Sequence, residues 1–88
     1  MARFMAINTL PPKGMTLKQV EDFAKTSQQD QAVKGRLSFG NLAEGKVVCI
    51  LDAPSKAELA AFFKSKGMPV DSITQLEFEG QAGNVRAV

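Results

Sequence analysis

A chain of 88 residues, 44% hydrophobic and 23% charged with a formal net charge of +2, has the composition of one small globular domain and leaves no basic stripe to track a phosphate backbone. It has no histidine, tryptophan or tyrosine, which removes Ser-His-Asp and Cys-His catalysis and the commonest transition-metal ligand. A single cysteine, Cys49, excludes an internal disulfide. With no apolar run near the ~20 residues of a membrane span and no signal-peptide core in MARFMAINTLPP, the expected location is the cytoplasm, with no membrane partner.

Residues 3–10 alternate, Phe4 and Ala6 to one side and Met5 and Ile7 to the other, until Pro11-Pro12-Lys13-Gly14 breaks the run. This spacing predicts a strand apolar on both faces. Thr16 and Gln19 are placed as a capping box, and the helix they open has Leu17, Val20, Phe23 and Ala24 on one side and Lys18, Glu21, Asp22 and Lys25 on the other. The polar run 26–31 extends or frays it. Residues 33–41 alternate again, with Val33, Leu37 and Phe39 set against Lys34, Arg36 and Ser38, the pattern of an edge strand with one wet side.

The glycine-bounded connection 40–45 predicts an antiparallel hairpin into residues 46–51, where Val47, Val48, Cys49, Ile50 and Leu51 form a strand buried on both sides. Asp52-Ala53-Pro54 ends it. Ser55 and Glu58 make a second capping box ahead of Leu59, Phe62 and Phe63, and Gly67 with Pro69 stops that helix. A fourth, half-polar strand is expected over 72–79. Residues 80–88, GQAGNVRAV, show little periodicity and read as a tail, disordered or packed on a neighbour, beyond a single domain of residues 1–79.

The βαββαβ order predicts an α+β, ferredoxin-like sandwich, a four-stranded antiparallel sheet with strands one and three central and two helices on one face. The other face would carry alternate residues of the central strands as an apolar stripe, with Arg36, Ser38, Gln75 and Glu77 at its margins. Burying about 400 Å² of it is worth on the order of 10 kcal/mol gross, reduced by association costs. A homodimer packed through the open sheet face explains the stripe, and a ligand groove is the second explanation. Arg36, with Lys34 and Ser38, makes a donor-rich row able to bind a carboxylate or phosphate, or simply an edge guarded against aggregation. Arg36, Ser38, Asn8 and Glu77 are the candidate ligand-binding residues.

Glu77 and Glu79, two apart, share a predicted strand face, where a hard cation, a salt bridge or plain solvation is possible. Cys49, in an apolar strand with no base beside it, reads as a core residue. No catalytic residue, metal ligand or cofactor is assigned. The RNA-recognition motif shares this element order, but VVCIL lacks its base-stacking aromatics, so nucleic acid is not an expected partner. The expected function is a homodimeric small-ligand or metal-associated binding protein. The alternative is a dimeric α/β-barrel enzyme, monooxygenase- or isomerase-like, in which Asn8, Arg36 or Ser38 would supply the polar group inside the barrel.

The segment GKVVCILDAPSKAELAAFFKSKGMPVDSITQLE, together with RFMAINTLP, resembles a family of small bacterial ferredoxin-like proteins first catalogued as a domain of unknown function, one branch of which is a nickel-binding homodimer. The resemblance spans roughly residues 3–77. It implies the sandwich fold and the dimer. The family commonly has a histidine in the second helix, where this chain has Phe62, so no metal ligand carries over to a residue here.

Overall fold

The computed structural model describes residues 1–10 and 14–88, and the expected break at Pro11-Pro12-Lys13 lies outside the described residues. Thr16 caps the first helix as its spacing requires: its hydroxyl accepts from Gln19 N at 3.2 Å and the Gln19 side chain accepts from Thr16 N at 2.9 Å. Helix α1 (Leu17–Gln29) follows, absorbing most of the polar run. Its C-terminal carbonyls are met by a cation, since Lys34 Nζ donates to Gln28 O at 3.1 Å and Asp30 O at 2.5 Å. Ser55 Oγ accepts from Glu58 N at 3.1 Å and opens α2 (Lys56–Ser65).

Strands β1 (Ala2–Thr9), β2 (Lys34–Asn41), β3 (Lys46–Ala53) and β4 (Ser72–Gln75) make one antiparallel sheet in the order β2-β3-β1-β4. The two strands apolar on both faces, β1 and β3, are central, and the half-polar ones are edges. Phe4, Ala6 and Asn8 of β1, Val47, Cys49, Leu51 and Ala53 of β3, and Ile73 of β4 are buried. Leu59, Phe62 and Phe63 of α2 join them in one core, against which Phe23 of α1 packs. The three phenylalanine rings of the helices have centroids 5.7–5.9 Å apart. Burying each large side chain of this kind is worth roughly 1.5–3 kcal/mol. Phe62 therefore has a packing role of its own.

The structure corrects the expected faces of β2. The register runs Lys34 opposite Asp52 and Gly35 opposite Leu51, then shifts, so that Leu37 is opposite Ile50, Ser38 opposite Cys49 and Phe39 opposite Val48. Arg36 is the extra residue of a β-bulge, and every side chain after it changes sides. Ser38 therefore lies on the side of buried Cys49. Leu37 and Phe39, expected in the core with Val33, lie on the open face and are 57% and 61% exposed. Lys34, caught by the end of α1, is not part of a donor row. Gln75, expected at the open margin, pairs with Phe4 on the helix side.

Helix α1 departs from its expected stripe as well. Leu17 and Ala24 are exposed, and the buried member of the helix is Ser27, whose hydroxyl donates to Ala24 O at 2.8 Å. The close neighbour is Gly35: a Cβ there would fall within 3.0 Å of Ser27 Oγ. The missing side chain lets helix and strand approach.

The expected strand 72–79 is two strands. β4 ends at Gln75, and after Leu76 and Glu77 the chain forms β5 (Phe78–Gln81) and β6 (Asn84–Ala87), a separate antiparallel hairpin. Residues 80–88, set apart as a tail, complete that hairpin. No helix among the described residues is long and apolar enough to cross a membrane.

Candidate ligand cavity beneath the first helix

Beneath α1, toward β2 and β3, lies a cavity of about 370 Å³. Its lining is mostly apolar: Val20, Phe23 and Ala24 from the helix, Val47, Ile50 and Leu51 from β3, with Met15 and Met68. Asn8, Ser27, Gln28, Ser38 and Cys49 contribute polar atoms, Glu21 and Lys25 of the helix are also in the lining, and Arg36 borders it at the bulge. The cavity is half open to solvent, with apolar walls and a few polar groups, features that small-molecule pockets share.

Asn8 is the most buried of the polar lining residues, 1% exposed. Its Nδ2 donates to Pro69 O at 2.5 Å, tying β1 to the segment after α2, and its Oδ1 accepts from Cys49 Sγ at 3.8 Å. Burial pushes the Cys49 thiol up to about 11, so it is protonated at neutral pH and serves as a weak donor and not as a nucleophile or metal ligand. Of the four expected site residues, the structure brings Asn8, Arg36 and Ser38 to one lining. Glu77 is exposed in the bend between β4 and β5 and borders none of the principal clefts.

The guanidinium of Arg36 is engaged on the opposite face. Its Nη1 lies 3.0 Å from Asp52 Oδ2, Arg3 Nε lies 3.0 Å from Asp52 Oδ1, Arg3 Nη1 lies 2.7 Å from Glu79 Oε1, and Arg86 Nη2 lies 3.0 Å from the same oxygen. These five side chains alternate in sign from Arg36 to Arg86 and link β1, β2 and β3 to the hairpin. Burial raises the Asp52 carboxyl, but the hydrogen bonds and charges of Arg3 and Arg36 outweigh it and hold it below the ordinary carboxylate value. The hydrogen bond from Arg86, with the charge of Arg3, does the same for Glu79. Beside this chain a cleft of about 910 Å³ separates Leu37 and Phe39 from Val85 and its neighbours in the hairpin.

Sequence reasoning missed Ser27 and the placement of the cavity. The available signal was Gly35, a glycine inside a strand pattern, which marks a bulge or a close backbone approach.

The chain is a small α+β domain with a half-open cavity between helix and sheet. The chain belongs to the SCO4226-like family, whose model, described as nickel responsive protein SCO4226-like, matches residues 4–76. Neither the comparison with curated proteins nor that with solved structures finds a match. Nickel favours imidazole and thiolate donors, and here there is no histidine, Cys49 is held protonated, and Asp52 and Glu79 are engaged by arginines. Among the described residues no three His, Cys, Asp or Glu side chains gather as a ligand set. The donor set of one chain does not fit a nickel site.

Proposed function

We propose that this protein is a ferredoxin-like, cytoplasmic binding protein that takes a small, largely apolar ligand into the cavity beneath α1 and works as a homodimer paired through the open sheet face. The observation that carries the ligand reading is the cavity itself. A half-open cavity of about 370 Å³ with mostly apolar walls and Asn8, Ser38 and Cys49 among its lining suits a compact organic molecule with one or two polar groups. The strand order, with β1 and β3 central, supports the ferredoxin-like reading. The dimer reading rests on Leu37 and Phe39, which the bulge turns outward beside the half-buried Met5, Ile7, Val48 and Ile50.

Fluorescence titration with 1-anilinonaphthalene-8-sulfonate tests the site. Saturable uptake by the wild type, weakened about tenfold by Ser38→Phe and unchanged by Phe39→Lys, is the expected result, since only the first substitution narrows the cavity. Loss with Phe39→Lys and retention with Ser38→Phe would move the binding to the open face and overturn the cavity reading.

A further inference from the structure

Among the described residues, no strand or helix packs extensively on the β5–β6 hairpin. Its two strands contact each other and no other strand or helix to a comparable extent. An isolated two-stranded hairpin is marginal in water. Glu79 and Arg86 pair across the hairpin, and Glu79 reaches Arg3 of the domain. Phe78, Gly80, Val85 and Ala87 share the opposite face, where Phe78 and Val85 are 61% and 68% exposed. The hairpin thus points charge at Arg3 of its own domain, leaves Phe78 exposed, and holds Val85 across an open cleft from Leu37 and Phe39. The cleft of about 910 Å³ between it and β2 shows that it does not close on its own sheet.

We infer that this hairpin is an arm that packs Phe78 and Val85 onto the open sheet face of a second copy of the chain. The inference rests on the dimer reading above and names the element that completes it. Both surfaces, the apolar arm and the apolar face carrying Leu37 and Phe39, belong to one chain, and a two-fold axis satisfies both at once. Those four side chains leave about 500 Å² exposed per copy, and the half-buried Met5, Ile7, Val48 and Ile50 bring the total toward the roughly 800 Å² per partner of a stable interface. The arm lies beyond the matched span 4–76.

Sedimentation velocity of the full chain across a concentration series is the test. The wild type is expected to dimerise, and Phe78→Lys/Val85→Lys to weaken the dimer about 100-fold while leaving circular dichroism and the thermal midpoint of the monomer in place. A wild type that stays monomeric overturns both the dimer reading and the arm. A dimer unaffected by the double substitution overturns the arm and leaves the dimer through the sheet face standing. Should the double variant fail to fold, native mass spectrometry of mixed Val85→Glu and Phe39→Lys chains decides: an excess of heterodimer supports contact between chains, and random mixing refutes it.

Discussion

Gly35→Ala probes the contact that sets the height of α1 above the sheet. The added methyl would enter within 3.0 Å of Ser27 Oγ, which is buried and bonded to Ala24 O, while Ser27 Cβ would be 3.4 Å away. Backbone strain is not involved, because Gly35 is not among the positive-φ positions. Helix and strand must therefore separate, or Ser27 must leave its rotamer; overpacking of this kind costs about 1–3 kcal/mol. In a domain of this size a loss of about 2 kcal/mol lowers the thermal midpoint by roughly 10 °C. Ser27→Ala removes the offending oxygen and leaves a Cβ at ordinary contact distance, so the double variant should recover about 1–2 kcal/mol as a coupling energy. Urea unfolding of the four proteins, followed by far-ultraviolet circular dichroism, measures it. A double variant as unstable as Gly35→Ala alone would refute the close-approach argument.

Alkylation of Cys49 by iodoacetamide, followed by mass spectrometry at mildly alkaline pH, should be slow in the folded protein and fast in denaturant, because burial holds the thiol at about 11. Asp52, whose folded value lies below an unfolded one of about 3.9, contributes stability in full above that pH and loses it as pH falls through the folded value; Asp52→Asn should flatten the acid limb of a stability-against-pH curve. Truncating Asn8 to Ala removes the donor to Pro69 O and the acceptor of Cys49, with an expected loss of about 1–3 kcal/mol in urea unfolding. Phe63→Ala, at a fully buried ring stacked on Phe23, should cost about 3–5 kcal/mol by the same measurement.

Element order was legible because each helix announces its start, at Thr16 and at Ser55, and because β1 and β3 are apolar at consecutive positions. The faces of β2 were not. The extra residue in this alternating strand is marked by Gly35 alone, which fits a close approach as well as a bulge, so Leu37 and Phe39 read as core until their partners Ile50 and Val48 are known. The hairpin escaped for a related reason. Its turn, Ala82-Gly83, has positive φ at both positions, 51° and 84°, yet lacks the Asn or Asp that usually advertises such a turn. Asn8, Arg36 and Ser38 were recognisable as unusual polar residues; that they meet at a cavity beneath α1 depends on the bulge and on the space beside Gly35.

The bulge at Arg36 makes this stretch sensitive to chain length as well as to residue type. Facing along a strand is a matter of odd and even, and the extra residue is why Leu37, two positions after Gly35, lies on the opposite side from it. Removing Arg36 would leave a regular strand with the faces unchanged, Leu37 still opposite Ile50 and Ser38 still opposite Cys49. A one-residue change in the turn over residues 42–45 is absorbed by the loop. Scanned position by position, deletion of Arg36 should therefore be tolerated as changes in that turn are, while a further residue inserted beside it should not be.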